Sequence, residues 1–244
     1  MDQSSASSRI AGAVHDLASE VVFALQSEDH LSAVCGAAGI GEDDRTGIAA
    51  VRVIGADLLL PSILYGRDPH PGDVAVLQRA VIEFPPRTGA PAASAWSHWA
   101  MESTLRQLAR AEAAETAEGL RQAGQFSATG AEPESGWLEQ APWQALTHQL
   151  SVLAPLAVPA AASAVNRAAN RRPVDVARGF VRAVRRRDWL QAAGAGRWLA
   201  TLDGVPDTLG LDAGLDFVQL MGGQDARVTL HLRAARLIRS GSLR

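Results

Sequence analysis

ARVTLHLRAARLIRSG, from Ala226 to Gly241, decides whether this 244-residue chain is helical throughout. Val228, Leu230 and Leu232 alternate with polar residues, the period-two pattern of a half-buried strand. The same segment also reads as a helix with Leu232, Ala235, Leu237 and Ile238 facing inward. The pattern alone leaves both readings open. Every other periodic segment reads as helix, so the expected fold is all-α or nearly so: a multi-helix bundle with at most one short strand over residues 227–232.

Composition supports that expectation. The chain is 47% hydrophobic and 20% charged, ordinary globular usage that argues against wholesale disorder. Alanine dominates and aromatic residues make up only 5%. That balance favours helix, because Ala has the best helix propensity and strands prefer branched and aromatic residues. A single cysteine, Cys35, excludes an internal disulfide framework and a multi-cysteine zinc site.

Working back from the tail, Asp207 to Met221 and Leu190 to Leu202 read as helices, the second interrupted by Gly194 and Gly196 in AGAGR, where close helix packing is the expected role. Pro173 suits a first helical position, followed by Val174 to Arg187. The longest helical pattern runs from Ala93 to Ala123. Asp73 is placed to cap a helix carrying Val74, Leu77, Val81 and Ile82, which Pro85 and Pro86 end. Ile48, Val51, Ile54, Leu58 and Leu59 extend another helix to about Leu60, where Pro61 kinks or ends it. A short helix is expected from Leu31 to Ala38. Ile10, Val14, Leu17, Val21 and Leu25 form an amphipathic helix near the amino terminus. GQFSATGAEPESG, from Gly124 to Gly136, is the linker candidate. It divides an acidic region (1–123) from a basic one (137–244), with a single domain as the alternative. The longest apolar run, Leu150 to Val165, is shorter than the roughly 20 residues that span a bilayer. The amino terminus lacks the basic leader of a secretory signal. A cytoplasmic protein without a membrane span is expected.

The net charge of −3 conceals a division: −10 up to Val165 and +7 from Asn166 onward. No lysine occurs, so all 23 basic residues are arginine, a bias that GC-rich coding alone would produce. NRRPVDVARGFVRAVRRRDW, Asn170 to Trp189, concentrates seven of them. At about 100° per residue, Val174, Ala177, Phe180, Val181 and Val184 share an arc expected to face the core. Arg178, Arg182, Arg185 and Arg186 lie beside it, with Arg171 and Arg172 just before the helix. This basic face is the candidate binding surface for an acidic protein partner, another subunit of a homo-oligomer, or a polyanion such as nucleic acid. It lacks the interleaved aromatics of a base-stacking surface.

Other chemistry is sparse. His98 and Glu102 are four residues apart and would share a helix face, supplying two ligands where a metal needs three or four. Asp68, His70 and Asp73 cluster in a proline-bound loop and offer an acid–base group, although turn chemistry explains the same residues. Cys35, in LSAVCGAAG, reads as a buried inert thiol. No phosphate-binding glycine loop, nucleophile elbow or metalloprotease motif occurs. The resulting expectation is a non-enzymatic interaction or assembly protein without cofactor or metal, with a helical enzyme or ligand-binding protein as the alternative.

Overall fold

The chain is 74% helical in the computed structural model. The described residues are 2–27, 33–41, 43–113, 130–159 and 161–241, excepting the side chains of 2–4 and 111–113, and among them there is no strand. The first half forms α1 (Asp2–Ala24), α2 (Val34–Ala37), α3 (Arg45–Ile54), α4 (Leu60–Tyr65), α5 (Pro71–Glu83) and α6 (Ala92–Ala113). The second half forms α7 (Gly136–Gln140), α8 (Trp143–Val152), α9 (Ala164–Asn170), α10 (Pro173–Arg185), α11 (Trp189–Leu199), α12 (Leu211–Gly222) and α13 (Ala226–Ser240). Short 3-10 turns occupy Gly55–Leu59, Ala154–Leu156 and Asp207–Leu209.

The ambiguous tail is therefore a helix, and its strand-like alternation has a physical cause. Two apolar cores meet across α13. Val228, Leu232 and Ala235 enter one, with Trp96, Phe180, Trp198 and Leu215. Ala226, Leu230, Ala234 and Leu237 enter the other, with Leu17, Val21, Val51, Leu77 and Leu105. At about 100° per residue these two sets occupy opposite sides of the helix, so apolar residues fall at every second position although the backbone is helical. Asp225 caps it by accepting from the Arg227 N–H at 2.9 Å.

Both cores draw on both halves of the chain. Ala56, Trp96 and Ala100 join the core of the second half, while α13 closes the core of the first. The candidate linker falls partly outside the described residues. Its remainder is anchored: the indoles of Trp99 and Trp96 donate to the Gly130 and Glu134 carbonyls, and Glu132 accepts from the Ala164 N–H. The far part of the expected Ala93–Ala123 helix lies outside the described residues, as do Leu31 and Ser32 at the start of the expected Leu31–Ala38 helix.

Two helix boundaries differ from expectation. The helix begun at Arg45 stops at Gly55, whose φ of 65° only glycine adopts without strain, and Pro61 opens the next helix instead of ending the first. At α5, His70 is the cap, its Nδ1 accepting from the Gly72 N–H at 3.1 Å. The Asp73 carboxylate turns inward and accepts from the Val34 and Cys35 N–H groups at 2.9 and 2.8 Å, capping α2. Ile82, expected in the core, is exposed. The Arg45–Tyr65 stretch is apolar enough to cross a membrane by length and composition, yet most of it is buried within the protein.

Around α11 the helices approach closely, as AGAGR implied. A Cβ at Gly194 would stand 2.7 Å from the Ser151 carbonyl oxygen, and one at Gly196 2.6 Å from Leu215. Backbone cannot yield as a flexible side chain can, so Gly194→Ala is expected to cost about 1–3 kcal/mol by forcing α8 and α11 apart. Gly12, inside α1 with nothing within 4 Å of an added Cβ, is the contrast. Gly12→Ala should gain roughly 0.5–1 kcal/mol. Urea unfolding of the two variants measures both, and a stable Gly194→Ala protein would refute the close contact.

Candidate functional site

The six candidate arginines of the basic segment divide into two groups. Arg171 pairs with Glu139, tying α7 to the end of α9, and Arg172 donates to Asp175 and to the Leu138 and Ala141 carbonyls, tying the start of α10 to α7 and the residue after it. Arg172 is half-buried in this role, whereas the Arg171–Glu139 pair lies exposed at the surface. Arg178 lies 3.7 Å from Asp175, a carboxylate that Arg172 already holds at 2.7 Å. Arg182 stands over the Trp143 ring, 5.7 Å from its centroid. Among the described residues, no acid meets Arg182, Arg185 or Arg186. Elsewhere in the second half, Arg167, Arg227, Arg236 and Arg239 each meet a carboxylate of the same chain.

The apolar arc of α10 is also rotated from its expected place. Val176, Ala177, Phe180 and Ala183 are the buried residues, and Val181 and Val184 are half-buried. Val174 is 48% exposed. Gly179 explains the rotation, because a Cβ there would stand 2.0 Å from the Thr147 hydroxyl, so this side of α10 lies flat against α8. Val174 and Val181 are left on the outer side, in line with Arg178, Arg182 and Arg185. With Trp143 on one wall and Pro206 and Leu209 on the other, they form an open groove of about 740 Å³. Its apolar floor carries three guanidinium groups and no carboxylate. Arg186 is exposed but does not line it.

A second polar cluster lies in the interior and was not apparent from the sequence. Arg197 is fully buried, and its Nη1 donates to both oxygens of Asp57 at 2.8 Å. Its Nε donates to the Ala157 carbonyl at 3.1 Å, and Nη2 has no partner. His231 of α13 approaches the same Nη1 at 3.4 Å through Nδ1. Burial pushes the Asp57 carboxyl above its ordinary value, against the pull of the Arg197 guanidinium. Burial, together with the Arg197 and Arg227 guanidiniums, lowers His231 to about 3, so its imidazole is neutral and its Nδ1 accepts. Asp57 borders two cavities, one of about 460 Å³ beneath α6 and one of about 260 Å³ beside His231. The signal that was available was a single acid in ADLLLPSILY and a single base in AGAGRWL, each inside an apolar run.

The remaining candidates do not converge. His98 and Glu102 are 3.6 Å apart, but the Arg106 guanidinium lies equally close to Glu102, and a cation there opposes a metal. Burial also lowers the His98 imidazole below its ordinary value. Asp68 and His70 are exposed while Asp73 points into the core. Among the described residues, no three His, Cys, Asp or Glu side chains come together as a metal site. Cys35 is buried, and burial beside Asp73 pushes its thiol up, which keeps it protonated. Compared with protein-family models, curated proteins and solved structures, the chain matches none.

Removing one partner of the interior ion pair leaves an uncompensated buried charge. Arg197→Met is expected to cost about 3–5 kcal/mol, and the Asp57→Leu/Arg197→Met double variant less than the sum of the two single ones. Additive losses in urea unfolding would refute the coupling. His231 gives a pH dependence of definite sign. Its folded value lies below its unfolded one, so its contribution is complete above about pH 6.5. Below that, stability falls toward pH 3 by up to about 1.4 kcal/mol per pH unit. Unfolding free energies at pH 7.5, 6 and 5 should show this decline, and His231→Leu should flatten it.

Proposed function

We propose that this chain is an interaction protein whose α10 groove docks an acidic, amphipathic segment of a protein partner. The observation carrying this reading is the contrast among arginines. Among the described residues, Arg182 and Arg185 lack the intramolecular carboxylates that Arg167, Arg227, Arg236 and Arg239 possess, Arg178 shares Asp175 with Arg172, and all three stand over an apolar floor. Arginine and tryptophan are enriched at the energetic centres of protein interfaces. A nucleic-acid backbone would use the guanidiniums but not Val174, Val181 and Leu209. A peptide with acids on one edge and aliphatic residues on the next uses both sets.

The test is fluorescence anisotropy with a labelled helical peptide bearing Glu and Leu at i and i+4 positions. A sequence-scrambled peptide of equal charge and single-stranded DNA serve as controls. The amphipathic peptide is expected to bind tightest, with Arg182→Gln/Arg185→Gln weakening it by at least about tenfold, or 1.4 kcal/mol. Val174→Asp should weaken it similarly by placing an acid on the floor. Stability should stay within about 0.5 kcal/mol in each variant, because all three positions lie at the surface. Equal binding of the scrambled peptide, or tighter binding of DNA with a steep salt dependence, would overturn the reading in favour of a polyanion.

A further inference from the structure

The geometry points to a second copy of this chain as the groove's partner, with the outer face of α12 as the segment that enters it; the inference rests on the groove reading. α12 buries Leu211, Leu215, Val218 and Gly222 and leaves Phe217, Leu220 and Met221 outside. Leu220 is 80% exposed, the most exposed of the chain's described large hydrophobic residues. Three large apolar side chains within five residues of one helix are more than the scattered exposure a free surface ordinarily carries. Asp212, Asp216 and Leu220 recur at four-residue steps along one stripe of that exposed side, Phe217 and Met221 lie towards its other edge, and α12 contains no base.

The two faces complement each other in order as well as in type. Along α10 the groove runs from apolar Val174 to basic Arg182 and Arg185. Along α12 one outer stripe runs from acidic Asp212 and Asp216 to apolar Leu220. Laid antiparallel, the acids of α12 reach Arg182 and Arg185 while Leu220 covers Val174. At about 1.5 Å per residue the two stretches have comparable lengths, roughly 16 Å and 12 Å. Asp212 and Asp216 already meet Arg239 and Arg236 at 2.8 Å, yet both acids are 73% exposed, which leaves them open to a further guanidinium. Both faces also belong to helices packed on α11, against which Phe180 of α10 lies close to Gly214 of α12. Neighbouring complementary faces suit a twofold arrangement in which each copy gives α12 to the other's groove, so the assembly closes as a dimer and does not grow into a chain.

Light scattering coupled to size exclusion, run on the full chain from about 1 to 200 μM, tests this. Wild type should shift with concentration from one to two chain masses. Leu220→Lys and Arg182→Glu/Arg185→Glu should each remain at one chain mass, and both alter only surface side chains. Mixing these two variants restores one intact contact, an intact groove meeting an intact α12, so a heterodimer should reappear at the higher concentrations. Wild type that stays at one chain mass, a dimer insensitive to both variants, or no recovery on mixing would each overturn the self-docking. The peptide titration separates the two ideas. A monomeric chain that binds the acidic peptide retains the groove and loses only the second copy as its occupant, whereas a peptide that ignores the groove removes both.

Discussion

A guanidinium withdrawn entirely from water requires compensation, and Arg197 receives it from three directions: the Asp57 carboxylate, the Ala157 carbonyl and the neutral ring of His231. These come from the 3-10 turn after α3, from the chain just beyond Leu156 and from α13, so one side chain on α11 fixes the relative placement of segments up to 174 residues apart along the chain, from Asp57 to His231. A buried pair of this kind contributes little net stability compared with an apolar replacement of equal volume, because desolvation offsets most of the attraction. Its effect is on specificity. Alternative packings of alanine-rich helices differ little in apolar burial, but any that separates Asp57 from Arg197 strands two charges in the interior.

That constraint accounts for what the sequence could and could not reveal. The all-helical architecture was legible, because alanine content and the spacing in α1, α3, α5 and α10 reflect local propensity and one-sided burial. The tail was ambiguous because periodicity analysis assumes a single buried side, and α13 has two. The inward arc of α10 was misplaced because hydrophobicity alone cannot say which valines meet the core. Gly179 decides that by admitting Thr147. The Asp57–Arg197 pair spans 140 residues and carries no local pattern, so only the fold brings it into view.

The candidate surface was legible in the same partial way. Its arginines were conspicuous, but their roles follow from neighbours remote in sequence: Glu139 takes Arg171, Asp175 takes Arg172, and Trp143 provides a face for Arg182. Charge division between the halves proved the coarser guide, since most basic residues after Asn166 serve inside the molecule. What distinguishes Arg182 and Arg185 is the lack of such service, combined with the apolar floor that the rotation of α10 exposes.

The two-sided burial of α13 bears on how the chain is made. During synthesis the core formed by α1, α3, α5 and α6 lacks one wall until Leu237 has been polymerised and has left the ribosome. At about 5–20 residues per second, the 124 residues from the end of α6 at Ala113 to Leu237 take on the order of 6 to 25 seconds to add. Throughout that interval Leu17, Val21, Val51 and Leu77 have no Leu230 or Leu237 to pack against. The order of synthesis thus leaves the apolar core of the first half with one side uncovered until a helix encoded far downstream arrives.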